Sequence, residues 1–429
     1  MRNRPVFIFG IALSSLWPAS PSAGASDVAA SAPRLLSGTI SGGARWTAQV
    51  PARWNGTLLL WSRGYAPTAN EPELASEGVR ANLLAQGYAL AASNYGADGW
   101  ALAEAVPAQR ATVAAFADQA GRPRRVLGFG YSMGGLVTTA LAEQPRPAID
   151  GAVALCPSIG GALGMMNMAL DGAFAFRTLV APDASIRLVG TGDDRANGAR
   201  VAAALATARR TPAGRARIAL AAVLAGLPGW TRPYRPEPAA DDMDAQAEEM
   251  AAAVPMGVFL PRADQEARAG GVFSWNRGID YRAQLRRSGR QAMIATVYRR
   301  AGLDLAADLA RLNAAPRIAA APAAVAYMRA HYTPTMRPRV PIVSVQAIGD
   351  GLTSPSLQRD YVAQAGRRAA ALWLRQSGHC TFQPQQIAAA IHVLEQRLDS
   401  GRWPARPAGF VAHTPPPMLR PCRRDGPCR

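Results

Sequence analysis

Lysine is missing altogether from this chain of 429 residues, so all 47 of its basic residues are arginine. Against 29 acidic residues they leave a formal net charge of +18 and a pI near 11.0. Such a balance points first to nucleic acid or to a membrane surface. An excess made only of arginine reads instead as compositional bias, and the arginines are scattered apart from stretches at 195–235 and in the tail. Zinc-finger, helix-turn-helix and RNA-binding aromatic signatures are also lacking, which removes nucleic acid as a partner. A basic surface that favours anionic substrates or cell surfaces stays open.

Histidine is scarce, with four in the chain, and cysteine equally so. Neither forms a cluster with ligand spacing, so no metal and no cofactor is expected. Four cysteines allow three pairings. Cys422 and Cys428 bracket Arg-Arg-Asp-Gly-Pro and can close on each other, which would leave Cys156 with Cys380.

Long apolar runs are lacking too, except near the start. Arg2 and Arg4 precede an apolar run from Val6 to Trp17 that is too short to span a bilayer, and Ala23-Gly24-Ala25 offers a small-x-small cleavage site. The expectation is a signal peptide over 1–25 and a mature chain from about Ser26, with a membrane anchor as the alternative. With no cysteine beside the cleavage site, a lipoprotein is not expected. The chain should therefore reach the periplasm or the medium without stable membrane insertion. Its oligomeric state is unknown.

Apolar residues make up 49% of the chain, enough for a large core with an insertion. Residues 26–33 read as a disordered leader. Short β-type runs follow at Leu35–Ile40, Trp46–Val50, Thr57–Trp61 and Tyr88–Ser93, with helical stretches at Glu73–Gln86 and Ala108–Ala120. A buried-type strand at Arg125–Phe129, a helix and another strand at Ile149–Leu155 come next. Regularity is lost between about 160 and 335, an Ala-, Arg- and Met-rich block of helical pattern holding Trp230 and Trp275. Alternation resumes with a strand at Pro341–Ala347, a helix at Leu357–Ala365, a strand at Ala371–Arg375 and a helix at Gln386–Leu398. Strands that alternate with helices predict a doubly wound, mostly parallel sheet. The resulting division is a first core part at 34–160, a largely helical cap at 161–335, a second core part at 336–404 and an irregular basic tail at 405–429.

Chemistry is concentrated at Gly130-Tyr131-Ser132-Met133-Gly134, between a strand and a helix. Acyl transfer needs an exposed hydroxyl on a rigid mount, and a sharp strand-to-helix turn flanked by glycines supplies one. The helix N-terminus places N–H groups where an oxyanion forms, so Met133 is one expected donor and Tyr65 or Gly64, after the Thr57–Trp61 strand, the second. The base should follow later in the chain. His379, in Ser377-Gly378-His379-Cys380, lies just after the last strand, whereas His331, His392 and His413 fall in the cap, on the final helix and in the tail. The acid should follow the preceding strand, where Ile348-Gly349-Asp350-Gly351 stands; Asp360, within the next helix, is the weaker competitor. Met165-Met166-Asn167-Met168 reads as core before it reads as an acyl pocket.

The elbow, the Gly-Asp-Gly loop and the Gly-His-Cys end together resemble exported bacterial α/β-hydrolases of the serine esterase and prolyl-oligopeptidase-like type. The resemblance covers roughly 45–165 and 335–405. It implies the α/β-hydrolase fold, a Ser-His-Asp triad of Ser132, His379 and Asp350, and hydrolysis of a small-molecule or polymeric carboxylic ester, with an anionic one allowed for. An amidase or peptidase with the same triad is the alternative, and a catalytically silent binding domain the reading from a different class. Relatives commonly carry His-Gly where this chain has Arg63-Gly64. His379-Cys380 is similar to the corresponding pair in tannase and feruloyl-esterase-like enzymes, where that cysteine is bridged to one beside the serine. Tyr131 occupies that position here, and Cys156, ending the neighbouring strand, is the expected substitute; two buried unpaired cysteines are the alternative.

Overall fold

The computed structural model describes residues 32–68, 71–182 and 185–428. The expected signal segment, its cleavage site and residues 26–31 of the leader lie outside the described residues.

Eight strands form one sheet: β1 (Arg34–Thr39), β2 (Arg45–Val50), β3 (Thr57–Ser62), β4 (Ala89–Ser93), β5 (Arg125–Tyr131), β6 (Gly151–Leu155), β7 (Ile342–Gly349) and β8 (Ala369–Ser377). Their order is β1-β2-β4-β3-β5-β6-β7-β8. β1 with β2 and β2 with β4 are antiparallel, and every pair from β4 to β8 is parallel. Helices α1 (Glu77–Ala85), α2 (Leu102–Ala120) and α3 (Met133–Ala142) fall among the first six strands.

The central strands are mostly apolar because both faces are covered, and the buried polar Ser344 and Gln346 of β7 are hydrogen-bonded to Gln358 and Thr353. Alternation sends successive side chains to opposite sides. Leu58 and Leu60 join a core with Phe116, Leu136 and Val137 from α2 and α3. Leu59 and Trp61 join one with Ile387, Ile391 and Leu394 on the other face.

Between β6 and β7 run the helices α4 (Gly161–Leu179), α5 (Asp194–Ala208), α6 (Pro212–Leu224), α7 (Met243–Ala253), α8 (Ala263–Ala269), α9 (Tyr281–Arg287), α10 (Gln291–Arg300), α11 (Leu305–Ala314) and α12 (Pro322–Tyr332). They build a core of their own, with Phe174, Phe176, Leu220, Val223, Tyr298 and Leu312 fully or almost fully buried. Met165, Met166 and Met168 are buried in the core that continues into the sheet. Helices α13 (Pro355–Ala365) and α14 (Pro384–Ser400) follow β7 and β8.

Beyond α14 the chain is irregular but packed. Met418, Leu419, Arg420 and Cys422 are buried, and Cys422 is joined to Cys428. Among the described residues no helix is long and apolar enough to cross a membrane.

Candidate active site

β5 runs to Tyr131 and α3 starts at Met133, so Ser132 alone makes the turn. Its backbone sits at φ 56° and ψ −118°, a conformation that costs a non-glycine residue of order 1–3 kcal/mol and persists only when its surroundings enforce it. The surroundings explain the glycines. A Cβ on Gly130 would lie 2.5 Å from the Ser62 carbonyl oxygen, and one on Gly135 would lie 2.6 Å from Cβ of Pro157. One on Gly134 would collide with the same Ser62 carbonyl. The turn is clamped by hydrogen bonds from Ser132 N–H to Leu155 O (3.0 Å) and from Ser158 N–H to Ser132 O (3.1 Å). The N–H of Met133 opens α3, in the first turn where N–H groups have no partner within the helix.

Asp350 follows β7 directly and is fully buried. Its Oδ1 accepts from Leu352 N–H (2.8 Å) and Thr353 N–H (2.9 Å). Its Oδ2 lies 2.8 Å from His379 Nδ1 and 2.9 Å from the Thr353 hydroxyl. That hydroxyl also stands 3.0 Å from the Cys156 carbonyl, so its single proton has two acceptors in reach. With Nδ1–H donated to Asp350, the imidazole keeps Nε2 free as a proton acceptor. The His379 side chain is 25% exposed, so the ring stands between a buried carboxylate and the surface.

The disulfide between Cys156 and Cys380 joins this histidine loop to the strand beside the elbow, with Cα atoms 5.4 Å apart. Leu155 pairs with Tyr131 in the sheet, so Cys156 lies next to Ser132 and its bridge brings Cys380 and His379 to the same edge. Both cysteines, like Ser132, have positive φ (41° and 58°). Ligand-type atoms of Cys156, His379 and Cys380 lie within 4.8 Å of one another, but the two sulfurs are bonded to each other, leaving one imidazole.

Gly64 also reaches the elbow: a Cβ there would lie 3.7 Å from Cβ of Ser132. Tyr65 follows, 40% exposed, its ring 5.8 Å from that of Trp100. The segment between β6 and β7 reaches the histidine loop from the other side. Ser377 Oγ donates to Arg232 O (2.6 Å), and a Cβ on Gly378 would lie 2.8 Å from Pro233.

The structure pairs Asp350 with His379, sets Gly64 against Ser132 with Tyr65 and Met133 next to them in the chain, and ties the histidine loop to the strand beside the elbow. It leaves the other candidates elsewhere. His331 lies tilted against Tyr327 with ring centroids 4.6 Å apart, His392 is exposed on α14, and His413 packs edge-on to Trp373 at 5.4 Å. Asp360 lies within α13, where burial raises its pKa. Two contributors escaped the sequence reading. Thr353 donates its N–H to Asp350 and sets its hydroxyl within reach of both Asp350 and the Cys156 carbonyl, and an aspartate followed three residues later by threonine is the one local hint of it. Arg63 was noted only as a departure, although its guanidinium is tied into the loop beside the elbow.

Strand order, the two antiparallel pairs at one edge, and a strained serine between β5 and α3 decide the architecture. The chain has the α/β-hydrolase fold.

No family model matches the chain. It is similar to the o-phthalyl amidase of Xanthobacter agilis, 29% identical over 408 residues, covering 86% of this chain and 88% of that protein. Among solved structures it is similar to Candida antarctica lipase A in its closed state (TM-score 0.42, 13% identity, 90% of this chain and 83% of that one). It is also similar to feruloyl esterase B of Aspergillus oryzae (TM-score 0.40, 14% identity, 86% and 80%). A third is the proline iminopeptidase of Mycobacterium smegmatis (TM-score 0.40, 14% identity, 85% and 100%).

Proposed function

We propose that this chain is an exported serine hydrolase that cleaves a carboxylic amide or ester through an acyl-enzyme on Ser132. The observation that carries the reading is the Nδ1 of His379 held 2.8 Å from a buried Asp350 at the sheet edge that presents Ser132. His379 Nε2 takes the Ser132 proton as Oγ bonds to the substrate carbonyl carbon. The N–H groups of Met133 and Tyr65 receive the oxyanion. The bond from carbon to the leaving nitrogen or oxygen then breaks, and that atom takes the proton from His379. Water repeats the sequence, freeing the acid and restoring Ser132.

On the sequence alone the ester comes first. The likeness to an o-phthalyl amidase along 86% of the chain raises the amide to equal standing, and makes an aryl amide with a neighbouring carboxylate the first substrate to try. Two disulfides favour an oxidising compartment and so the export reading.

The test is turnover of p-nitrophenyl esters, p-nitroanilides and N-o-phthalyl amides by wild type beside Ser132→Ala, with fluorophosphonate labelling of both. Wild type should turn over at least one class, about 10⁵-fold faster than the variant, and label at Ser132. A wild type that neither labels nor exceeds the variant would overturn the reading.

A further inference from the structure

We infer that Arg63 is a positioning residue for the oxyanion hole, fixing one peptide plane so that the N–H of Tyr65 faces Ser132; this rests on the serine-hydrolase reading. In the sheet β3 lies between β4 and β5. The loop leaving β3 therefore has the elbow on one flank and the segment following β4 on the other. On the elbow flank, the Gly64 Cβ position is 3.5 Å from Tyr131 O and 3.7 Å from Cβ of Ser132, and a Cβ on Gly134 would lie 2.6 Å from the Arg63 carbonyl oxygen.

The Arg63 side chain turns to the opposite flank. Its Nη2 donates to Ala97 O (2.7 Å) and Asn94 O (3.2 Å), and its guanidinium carbon lies 4.5 Å from the centroid of the Tyr95 ring. The Tyr95 hydroxyl donates back to Arg63 O (3.2 Å). The remaining arm matters most: Nη1 donates to the carbonyl of Gly64 at 3.0 Å. A planar trans peptide carries its C=O and the following N–H on opposite sides, and the described chain contains no cis peptide. Drawing the Gly64 carbonyl toward the β4 flank therefore turns the Tyr65 N–H toward the β5 flank, where Ser132 and the Met133 N–H stand. One residue later the loop is pinned again by Gly99 N–H donating to Ala66 O (2.7 Å).

A planar fork is needed because three carbonyls on two segments are held by one cation. Lysine would keep the charge but present it as a point, on a stem whose end rotates freely. A backbone donor that can swing away stabilises the ground state and the transition state alike poorly, whereas a fixed one acts where charge develops.

The test compares Arg63→Met and Arg63→Lys with wild type on the substrate class wild type turns over. For Arg63→Met we expect kcat to fall roughly 10²-fold, within the span seen when an oxyanion donor is lost, with KM changed less than about threefold. Arg63→Lys should recover no more than about a tenth of wild-type kcat. Inhibition by a boronic acid, which forms a tetrahedral adduct on serine, should weaken by the same factor as kcat, while inhibition by the product acid should not. A merely structural arginine would move the melting temperature and leave that split absent. Folding is checked by thermal melting, and Arg63→Lys carries the test if Arg63→Met does not fold. Unchanged kcat and boronate affinity in a folded variant of an active wild type overturn the inference alone. A wild type no faster than Ser132→Ala overturns the hydrolase reading and the inference with it.

Discussion

Two aspartates in this molecule are equally hidden from water, and their partners give them opposite uses. Asp350 at the end of β7 is 0% exposed, and Asp171 in α4 is 1% exposed. Asp171 faces Arg420 Nη1 at 2.8 Å, across 249 residues of sequence, and both side chains are 1% exposed. Asp350 faces an imidazole whose side chain is 25% exposed. A guanidinium does not release its proton in a protein, so Arg420 serves Asp171 as a structural tie between the helices that follow β6 and the C-terminal segment. An imidazole can accept and donate a proton in catalysis, so on the proposed mechanism Asp350 is the fixed support of a proton carrier. Burial of a carboxylate decides neither role; the acidity and accessibility of its partner decide both.

The largest effect that would break this contrast is Asp350→Asn. An amide keeps the shape but can turn its NH₂ toward Nδ1, which stabilises the wrong tautomer of His379. We expect kcat to fall about 10⁴-fold, with the melting temperature shifted by a few degrees at most, read by steady-state kinetics and a thermal melt. If turnover survived, Asp350 would be structural like its counterpart.

Next in size is Arg420→Met. Breaking a buried pair costs about 3–5 kcal/mol, measured by urea unfolding, with turnover per fluorophosphonate-titrated site unchanged. Its pH dependence has a definite sign. Burial, outweighing Arg420, pushes the Asp171 carboxyl up to about 6 from 3.8. A raised carboxyl pKa means the folded state binds the extra proton, so this group favours folding most below about pH 4 and loses that contribution as pH rises through about 6. Without Arg420 the folded pKa rises further, so the decline extends to higher pH. The gap between wild type and variant should therefore widen from pH 5 to pH 8; a constant gap would mean that Asp171 stays ionised throughout.

Much of one region was legible in the sequence and little of the other. Strands covered on both faces are mostly apolar rather than alternating, so Thr57–Trp61 and Arg125–Phe129 declare themselves by near-continuous runs, and the loops that follow β5, β7 and β8 can be searched for a nucleophile, an acid and a base. In the cap the signal vanishes for a physical reason. In α4 every residue except Arg177 and Thr178 is buried, so no stripe of period 3.6 exists to be read. The C-terminal segment reads as a basic tail because arginine and proline usually lie outside. Arg420 is buried against Asp171 and the Trp275 carbonyl, and nothing near these residues in the chain announces the others. Thr353 and Arg63 were missed for the related reason that hydrogen bonds to backbone carbonyls leave no mark in composition.

The smallest effects sharpen the contrast best, because one hydroxyl can be deleted from each aspartate. Tyr281 donates its hydroxyl to Asp171 at 3.3 Å, and the Thr353 hydroxyl lies 2.9 Å from Asp350 Oδ2. Tyr281→Phe should cost about 1 kcal/mol of stability, the ordinary net worth of a hydrogen bond, and leave kcat alone. Thr353→Val keeps both backbone N–H bonds to Asp350, since they come from Leu352 and from residue 353 itself. Its stability loss should be similar, but the carboxylate then has more freedom to rotate beneath the imidazole, and kcat should drop by roughly 10-fold, the equivalent of about 1.4 kcal/mol. Urea unfolding and kinetics on both variants separate the two roles. If Thr353→Val slowed turnover no more than Tyr281→Phe, the hydroxyl beside Asp350 and His379 would serve packing alone, and His379 would be oriented by Asp350 and the Cys156–Cys380 bridge without it.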